Sequence, residues 1–419
     1  MSLRDRLAAR IAASGPMSVE AYMQACLHDP ADGYYATRPR LGEAGDFITA
    51  PHVSQIFGEL LGLWAAQTWA DLGRPARVIL AELGPGDGTM MGDMLSAARA
   101  APGFREAADV WLVETSELLR VAQAQALAGP DASPRWAETI EDLPTGAPAL
   151  LIANEFLDCL PIRQAVWTPG GWRERMVGVD ERGALAFGLG DVLSPHSAGA
   201  PHAGFAGTSP KAGTSPKAGT SFKGGRDMKA AARYTPLSAP WGEYARRAGR
   251  GFQRRATSEP SPNEGEGGSV VEWSPALEAF GRAMGARVTE TGGAALFVDY
   301  GRDEPSFGDT LQAVRGHGKE GPLENPGQAD LTAHVDFRAF IAAAEAGGAC
   351  ATPILAQGEF LRRLGIDARA RTLVRGNPGR ALQIERQLDR LVAPGQMGKL
   401  FKVACVHAPG LAPPGFELG

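Results

Sequence analysis

The chain has 419 residues, 44% of them hydrophobic and 21% charged, with a formal net charge of −5. That composition supplies a full globular core, and the length predicts one large elaborated domain or two smaller ones. The negative balance argues against a general nucleic-acid binder; four widely spaced cysteines (Cys26, Cys159, Cys350, Cys405), with no CxxC pair, suggest neither a disulfide framework nor a zinc site and fit a reducing compartment.

The opening MSLRDRLAARIAASG reads as a short amphipathic helix. Arg4, Arg6 and Arg10 mimic a mitochondrial presequence, but Asp5 and the short length favour an ordinary first helix. It lacks the apolar core of a secretory signal, and no apolar run in the chain reaches membrane-spanning length. A soluble cytoplasmic protein without membrane insertion is expected. Ser18 is placed to cap a second helix, SVEAYMQACLHD, which ends at Pro30-Ala31-Asp32-Gly33. RPRLGEAGDFITAPHVS then has too little periodicity for a helix or strand. Its Asp46, Phe47, Thr49 and His52 leave two readings open, a cover over a ligand or a solvated turn. A long helix is predicted from about Gln55 to Leu72.

The stretch RVILAELGPGDGTMMGD organises the rest. Val78–Leu83 reads as a buried parallel strand; Gly84, Gly86 and Gly88 follow, and then a helix. A strand that ends in glycines and restarts as a helix presents backbone N–H groups to a ligand, and side chains there would block its approach. The next strand, Val110–Val113, ends in Glu114, placed to accept hydrogen bonds from both ribose hydroxyls of a nucleoside. The spacing is GxGxG rather than GxGxxG, and Asp87 lies inside the turn. A diphosphate would be repelled by that carboxylate, whereas the ammonium of S-adenosylmethionine would be attracted. The order of preference is therefore S-adenosylmethionine first and NAD second, with a ligand-free tight turn as the bland alternative. Expected cofactor contacts are Glu82, Gly84, Pro85, Gly86 and Gly88, with Glu114 and Thr115 at the second strand.

Helices at Met90–Ala100 and Glu117–Leu127, a short strand at Arg135–Ala137 and another at Ala149–Ala153 complete an alternating pattern, which means a parallel sheet covered on both faces. Ligands then sit beyond the carboxyl ends of the strands, where Asn154-Glu155-Phe156-Leu157-Asp158 follows. The rhythm breaks at AVWTPGGWRERMVGVDERGALAFGL, which reads as hairpin strands with Pro-Gly-Gly and Glu-Arg-Gly turns. GTSPKAGTSPKAGTSFKGG is a low-complexity repeat, expected to be disordered. Later come a short strand and helix at SVVEWSPALEAFGRAMGA, a strand at Ala294–Val298 ending in Asp299-Tyr300-Gly301, and a loop. The helix of DLTAHVDFRAFIAAAEAGG and strand candidates at Ala351–Leu355 and Leu400–Val406 close the chain. The fold class is α/β, with the seven-strand order of nucleoside-binding methyltransferases fitting better than a six-strand dinucleotide sheet. Expected domains are 1–75 (helical, with the covering loop), 76–164 (first half of the core), 165–268 (inserted hairpins and, near 197–230, the repeat) and 269–419 (second half).

Carboxylates clustered beside such a cofactor suit a cationic acceptor, because a guanidinium presents a planar fork that a carboxylate grips bidentately. Glu155 and Asp158 are the candidates for that grip and Asn154 for orientation, with Asp299 and Tyr300 on the substrate side. The bland alternative is that Asn154 and Asp158 only cap the segment after the strand. The scattered histidines, without HxH or HExxH, make a metal site improbable, and the absence of GxSxG and GxxxxGK[ST] removes hydrolase and nucleotide-triphosphate readings.

Ten blocks in order, among them GDFITAPHVSQIFGELLG, ELGPGDGTMMGDML, ETSELLRVAQ, ANEFLDCLPIRQ, VEWSP, FVDYG and QGEFLRRLGI, resemble the MidA family of S-adenosylmethionine-dependent protein arginine methyltransferases, which are linked to assembly of respiratory complex I. The resemblance runs from about Tyr22 to Val406 and departs at about 190–268, where the repeat looks like an insertion. It implies a class I, Rossmann-like seven-stranded domain with an N-terminal helical part and an inserted segment, and Gly45, Asp46, Phe47 and Thr49 closing over the cofactor. It also implies symmetric dimethylation of an arginine near the N-terminus of the 49 kDa-type subunit of complex I. Which carboxylate grips the acceptor is not implied. Nucleic acid is not an expected partner, and a homodimer is admitted. Competing readings are a non-catalytic assembly chaperone that binds S-adenosylmethionine and a nicotinamide-dependent oxidoreductase.

Overall fold

Val78–Leu83 (β1) is buried at all six positions in a computed structural model of the chain, which describes residues 1–37, 49–129, 133–193 and 270–417. A strand buried on both faces belongs inside a parallel sheet covered by helices. On one side β1 pairs in parallel with Ala108–Val113 (β2), which pairs in parallel with Arg135–Ala137 (β3). On the other it pairs in parallel with Ala149–Asn154 (β4), and β4 with Ala294–Arg302 (β5). Cys350–Ala351 (β6) and Phe401–His407 (β7) finish the sheet, with β7 antiparallel to both β5 and β6. The resulting order, 6-7-5-4-1-2-3, is the methyltransferase order expected from the pattern of elements.

Two compact units are present, each assembled from three separated stretches. One contains Pro39–Asp158, Phe280–Asp303 and His334–Gly419, and holds the sheet just described; the other contains Met1–Arg38, Cys159–Ala279 and Glu304–Ala333. In the sheet unit, strand alternation sends Val78, Leu80, Leu112, Ile152, Leu296 and Val403 into a core with Trp64, Leu61 and Phe57 of the helix Gln55–Asp71 (α1). Two glycines let α1 lie close to the helix Thr89–Ala97 (α2). A Cβ at Gly58 would meet Asp93 Cβ at 2.7 Å, and one at Gly62 would be driven into the Met94 backbone. Gly62→Ala gains about 1 kcal/mol of helix preference, but the overpacking falls on backbone that cannot rotate away and costs about 1–3 kcal/mol. The expected net is a loss of roughly 1 kcal/mol, read from a lower denaturant midpoint at unchanged m-value; a raised midpoint would show that the helices separate freely.

The other unit is built around antiparallel pairs. Arg163–Thr168 pairs with Gly171–Val179 and with Val270–Trp273, and Gly171–Val179 also pairs with Leu185–Val192. The hairpins turn where Pro-Gly-Gly and Glu-Arg-Gly were read, and Gly171 and Gly183 hold φ of 107° and 79°. The first helix, Leu3–Ser14, starts in a Ser2–Asp5 capping box, and the second, Val19–His28, is capped by the Ser18 side chain on the Ala21 amide. Their apolar faces, with Leu7, Ile11, Tyr22 and Met23, join Val177 and Leu331 in that unit's core.

Three local expectations are corrected. The stretch before α1 contains a one-turn helix, Ala50–Val53, too short for periodicity to reveal, whose His52 and Val53 amides both reach the Thr49 carbonyl. The loop after Asp309 and the first residues of the stretch read as a helix form a small sheet of Gln312–Arg315, Gly318–Glu320 and Asp330–Thr332, and the helix itself runs from Phe337 to Ala346. The strand read at Ala351–Leu355 is two dipeptides, Cys350–Ala351 and Leu355–Ala356, which both pair with β7. The repeat near 197–230 and the covering residues Gly45, Asp46 and Phe47 lie outside the described residues. No helix of the described residues is long and apolar enough to cross a membrane.

Candidate active site

The glycine turn is shaped by backbone that other residues rarely adopt: Gly84, Gly86 and Gly88 have φ of 62°, 55° and 88°. Gly84 has a packing reason as well, since a Cβ there would meet the Phe156 ring at 2.9 Å. The ring of Phe156 also lies 5.4 Å from that of Phe280. Phe156 thus pins the acidic segment after β4 to the turn after β1, two stretches that the sequence analysis could place only at the same edge. Pro85 closes the turn by accepting the Gly88 amide at its carbonyl, 2.9 Å away.

Register explains why the polar residues converge. Glu82 stands opposite Leu112 and Ile152, so Glu114, one residue past the end of β2, and Asn154, the last residue of β4, each lie two residues beyond that register at the same sheet edge. Glu114 Oε1 accepts the Thr115 and Ser116 amides at 2.8 and 2.7 Å. Gln123, which the sequence analysis did not single out, donates from Nε2 to the Gly86 carbonyl (2.7 Å) and to Glu114 Oε2 (3.3 Å), and its Oε1 accepts the Trp136 indole N–H. One amide thereby ties the glycine turn to the acidic tip of β2. The readable signal was a polar residue in an apolar stripe: Leu119, Gln123 and Leu127 recur every fourth residue and all are buried.

The one-turn helix supplies another tie. His52 Nε2 lies 3.0 Å from Asp87 Oδ2, and its Nδ1 lies 2.8 Å from the Thr49 hydroxyl. Asp87 Oδ1 accepts the Thr89 amide at the start of α2. Burial acts to raise the Asp87 pKa, but the hydrogen bonds of His52 and Thr89 outweigh it and bring it to about 2. Glu82 goes the other way: burial, with Asp87 adding like charge, pushes its carboxyl well above the ordinary range. Burial raises Glu114 too, against the pull of the Ser116, Gln123 and Thr115 donors.

After β4 the backbone is strained at one position, Glu155, whose φ is 50°. Its amide donates to the Val298 carbonyl, and its Oε1 accepts the Ala50 amide and Asn154 Nδ2, both at 3.2 Å. Burial first, then the nearby Asp158, raises the Glu155 carboxyl to about 7. Asp299 is placed beneath this segment, with its Oδ2 accepting the amides of Phe156, Leu157 and Asp158 at 2.9, 2.8 and 3.2 Å and its Oδ1 accepting the Tyr300 amide. Burial and the charges of Asp158 and Glu155 push Asp299 well above the carboxylate range despite those donors. This geometry gives Asp299 the task of holding the turn that carries Glu155 and Asp158. Tyr300 packs edge-on against Phe401 and His334 and is almost wholly buried.

The donor set can be compared with S-adenosylmethionine, which carries an ammonium, a sulfonium and a ribose diol. An ionised Asp87, a buried Glu114 and two buried oxygens with no hydrogen-bond partner among the described residues, Glu82 Oε2 and Asn154 Oδ1, line the same strand ends. All of them are acceptors for cations and hydroxyls. The fit is good.

A 6-7-5-4-1-2-3 sheet, a glycine turn after its first strand and an acid at the tip of its second define a class I methyltransferase. Residues 60–354 match the family described as "Putative S-adenosyl-L-methionine-dependent methyltransferase", and the chain belongs to that family. It is an S-adenosylmethionine-dependent methyltransferase. The chain is similar to the mitochondrial protein arginine methyltransferase NDUFAF7 of Danio rerio (32% identity, covering 96% of this chain and 86% of the relative) and of Homo sapiens (32%, covering 94% and 80%). A COG1565 superfamily member from Burkholderia thailandensis, solved bound to S-adenosyl-homocysteine, superposes with a TM-score of 0.70 at 26% identity, covering 100% of this chain and 93% of that one. The relatives' names overturn one expectation. They are named as mitochondrial proteins, which conflicts with a cytoplasmic location inferred from the lack of a long presequence-like segment.

Glu114→Gln offers a contained test of the cofactor side. One oxygen stays available for the Thr115 and Ser116 amides, while the other becomes a donor facing the hydroxyls it should receive. The dissociation constant for S-adenosyl-homocysteine, measured by calorimetry, is expected to rise about tenfold. An unchanged constant would remove the ribose from this carboxylate.

Proposed function

We propose that the enzyme methylates an arginine guanidinium of a protein, with Glu155 and Asp158 gripping the acceptor and Asn154 orienting it. The observation that carries the reading is the strained acidic turn after β4. Glu155 is held in the left-handed region with its carboxyl raised to about 7 by burial and by Asp158, an arrangement that costs free energy until a cation neutralises it. Two carboxylates offer the fork geometry that a guanidinium matches. The names of the Danio rerio and Homo sapiens relatives support the choice of arginine.

When bound, S-adenosylmethionine would supply a methyl carbon made electrophilic by its sulfonium, with the neutral thioether of S-adenosyl-homocysteine as the leaving group. On the chain's side, Glu82, the glycine turn with Pro85, Glu114 and Thr115 would hold that cofactor, and Thr49 with the covering residues before it would shield it from water. Glu155 and Asp158 fix the guanidinium so that one nitrogen lone pair points at the methyl, which is most of the required catalysis for an in-line displacement. As that nitrogen forms its bond to carbon it gives up a proton, and a Glu155 carboxylate oxygen is the acceptor. A pKa near 7 makes it a better base than an ordinary carboxylate.

The acceptor we assign is an arginine near the N-terminus of the 49 kDa-type subunit of respiratory complex I, dimethylated symmetrically in support of assembly; the resemblance to the MidA family supports this. The test is to incubate the protein with labelled S-adenosylmethionine and the purified subunit, beside a Gly86→Val control that the φ of 55° at this position should not tolerate. Label on an arginine, absent in the control, is the expected result. Label on another residue type, or none despite tight cofactor binding, would overturn the arginine reading.

A further inference from the structure

We infer that His52 is a positioning residue for the cofactor: held by Thr49, its imidazole aims the Asp87 carboxylate at the α-ammonium of the bound S-adenosylmethionine. Three observations carry this. Asp87 is an acceptor on both oxygens, so the ring nitrogen 3.0 Å from it, Nε2, must carry the hydrogen and donate. In the neutral ring Nδ1 is then the acceptor, and the Thr49 hydroxyl 2.8 Å away is its donor. The tautomer is thus set by the chain itself, as a hydroxyl–imidazole–carboxylate relay running from residue 49 to the glycine turn.

Second, the carboxylate at the end of the relay is fixed but not enclosed. Its Oδ1 is held by the Thr89 amide and its Oδ2 by His52, yet 36% of the side chain is still exposed, against 17% for His52. A carboxylate oxygen held by one donor retains a lone pair for another. A cationic amine is the ligand that such a fixed, ionised and accessible carboxylate at a glycine turn would take. Third, the relay is anchored away from Asp87. The Ala50 amide on the same one-turn helix donates to Glu155 Oε1, and the His52 and Val53 amides both return to the Thr49 carbonyl. The one-turn helix that carries His52 is therefore tied to the segment after β4 as well as to the glycine turn, and that fixes the backbone from which the imidazole reaches Asp87.

The inference rests on the cofactor and not on the acceptor, so its failure is separable from that of the arginine reading. The test compares two ligands by calorimetry on the full chain: S-adenosyl-homocysteine, and methylthioadenosine, which keeps the adenosine and sulfur but lacks the amino-acid portion. Loss of a charge-assisted contact predicts that His52→Ala weakens S-adenosyl-homocysteine roughly ten- to a hundredfold and leaves methylthioadenosine within about twofold. His52→Gln, whose amide N–H can replace the Nε2 donor, should recover much of the loss. Binding of methylthioadenosine also reports that the variant is folded. Equal weakening of both ligands would reduce His52 to general support of the turn, and unchanged S-adenosyl-homocysteine binding would remove it from the site; either overturns the inference.

Discussion

Glu155→Gln is expected to lower kcat/KM for the protein acceptor by roughly a thousandfold, while the dissociation constant for S-adenosyl-homocysteine barely moves. Two losses combine. A charged, buried grip on the guanidinium is replaced by a neutral amide, and the proton acceptor near the reacting nitrogen disappears. The wild-type pH profile is a second reading of the same group. Because burial and Asp158 raise its pKa to about 7, Glu155 is neutral below that pH in the free enzyme and can neither pair with the guanidinium nor accept a proton. kcat/KM should therefore rise with pH through about 7, and the inflection should be absent from the Gln variant. A wild-type profile flat across neutrality, or a Gln variant that keeps most of its activity, would give the acceptor to another carboxylate.

Asp299→Ala is expected to cost about 3–5 kcal/mol of stability. The substitution leaves the amides of Phe156, Leu157 and Asp158 buried without an acceptor, and each orphaned donor costs about 1–3 kcal/mol. Asp299→Asn keeps an acceptor oxygen and should be far milder. The sign of the pH effect separates the two further. Burial and the neighbouring charges of Asp158 and Glu155 hold the folded pKa of Asp299 well above its ordinary carboxylate value, so the folded state holds a proton that the unfolded state releases. Wild-type stability should decline as pH rises above that unfolded value, and the Asn variant, which imitates the protonated acid, should decline less. Urea unfolding of the three proteins across pH reads all of this. An Ala variant as stable as wild type would mean that the acidic turn holds itself.

These two residues also mark how far the chain alone could be read. β1 was legible because an apolar run bounded by Pro75 and Gly84 has few alternatives, and the glycines after it carry a conformational requirement that no other residue meets. Glu114 was legible because a strand tip followed by a helix cap has a fixed place in an α/β sheet. The sheet order followed from alternation of strand and helix, with the last antiparallel strand distinguishing the seven-strand class. Local periodicity, turn chemistry and chain direction set all of these, and each acts over a few residues.

What tertiary structure decided was pairing across large separations in sequence. That Asp299 holds amides more than 140 residues away, that Phe156 fills the space a glycine leaves at position 84, and that His52 reaches Asp87 are consequences of packing between elements. A side chain's type shows that it can accept or donate; only the folded geometry shows which partner lies within about 3 Å of it. The composition of the second unit from three stretches has the same origin, because hydrogen-bonded strands such as Met17–Ser18 and Gly171–Val179 are contiguous in space and not along the chain. Sequence established the class of ligand through residue chemistry. Structure showed which polar groups converge at the strand ends and that Asp299 is one that holds backbone in place.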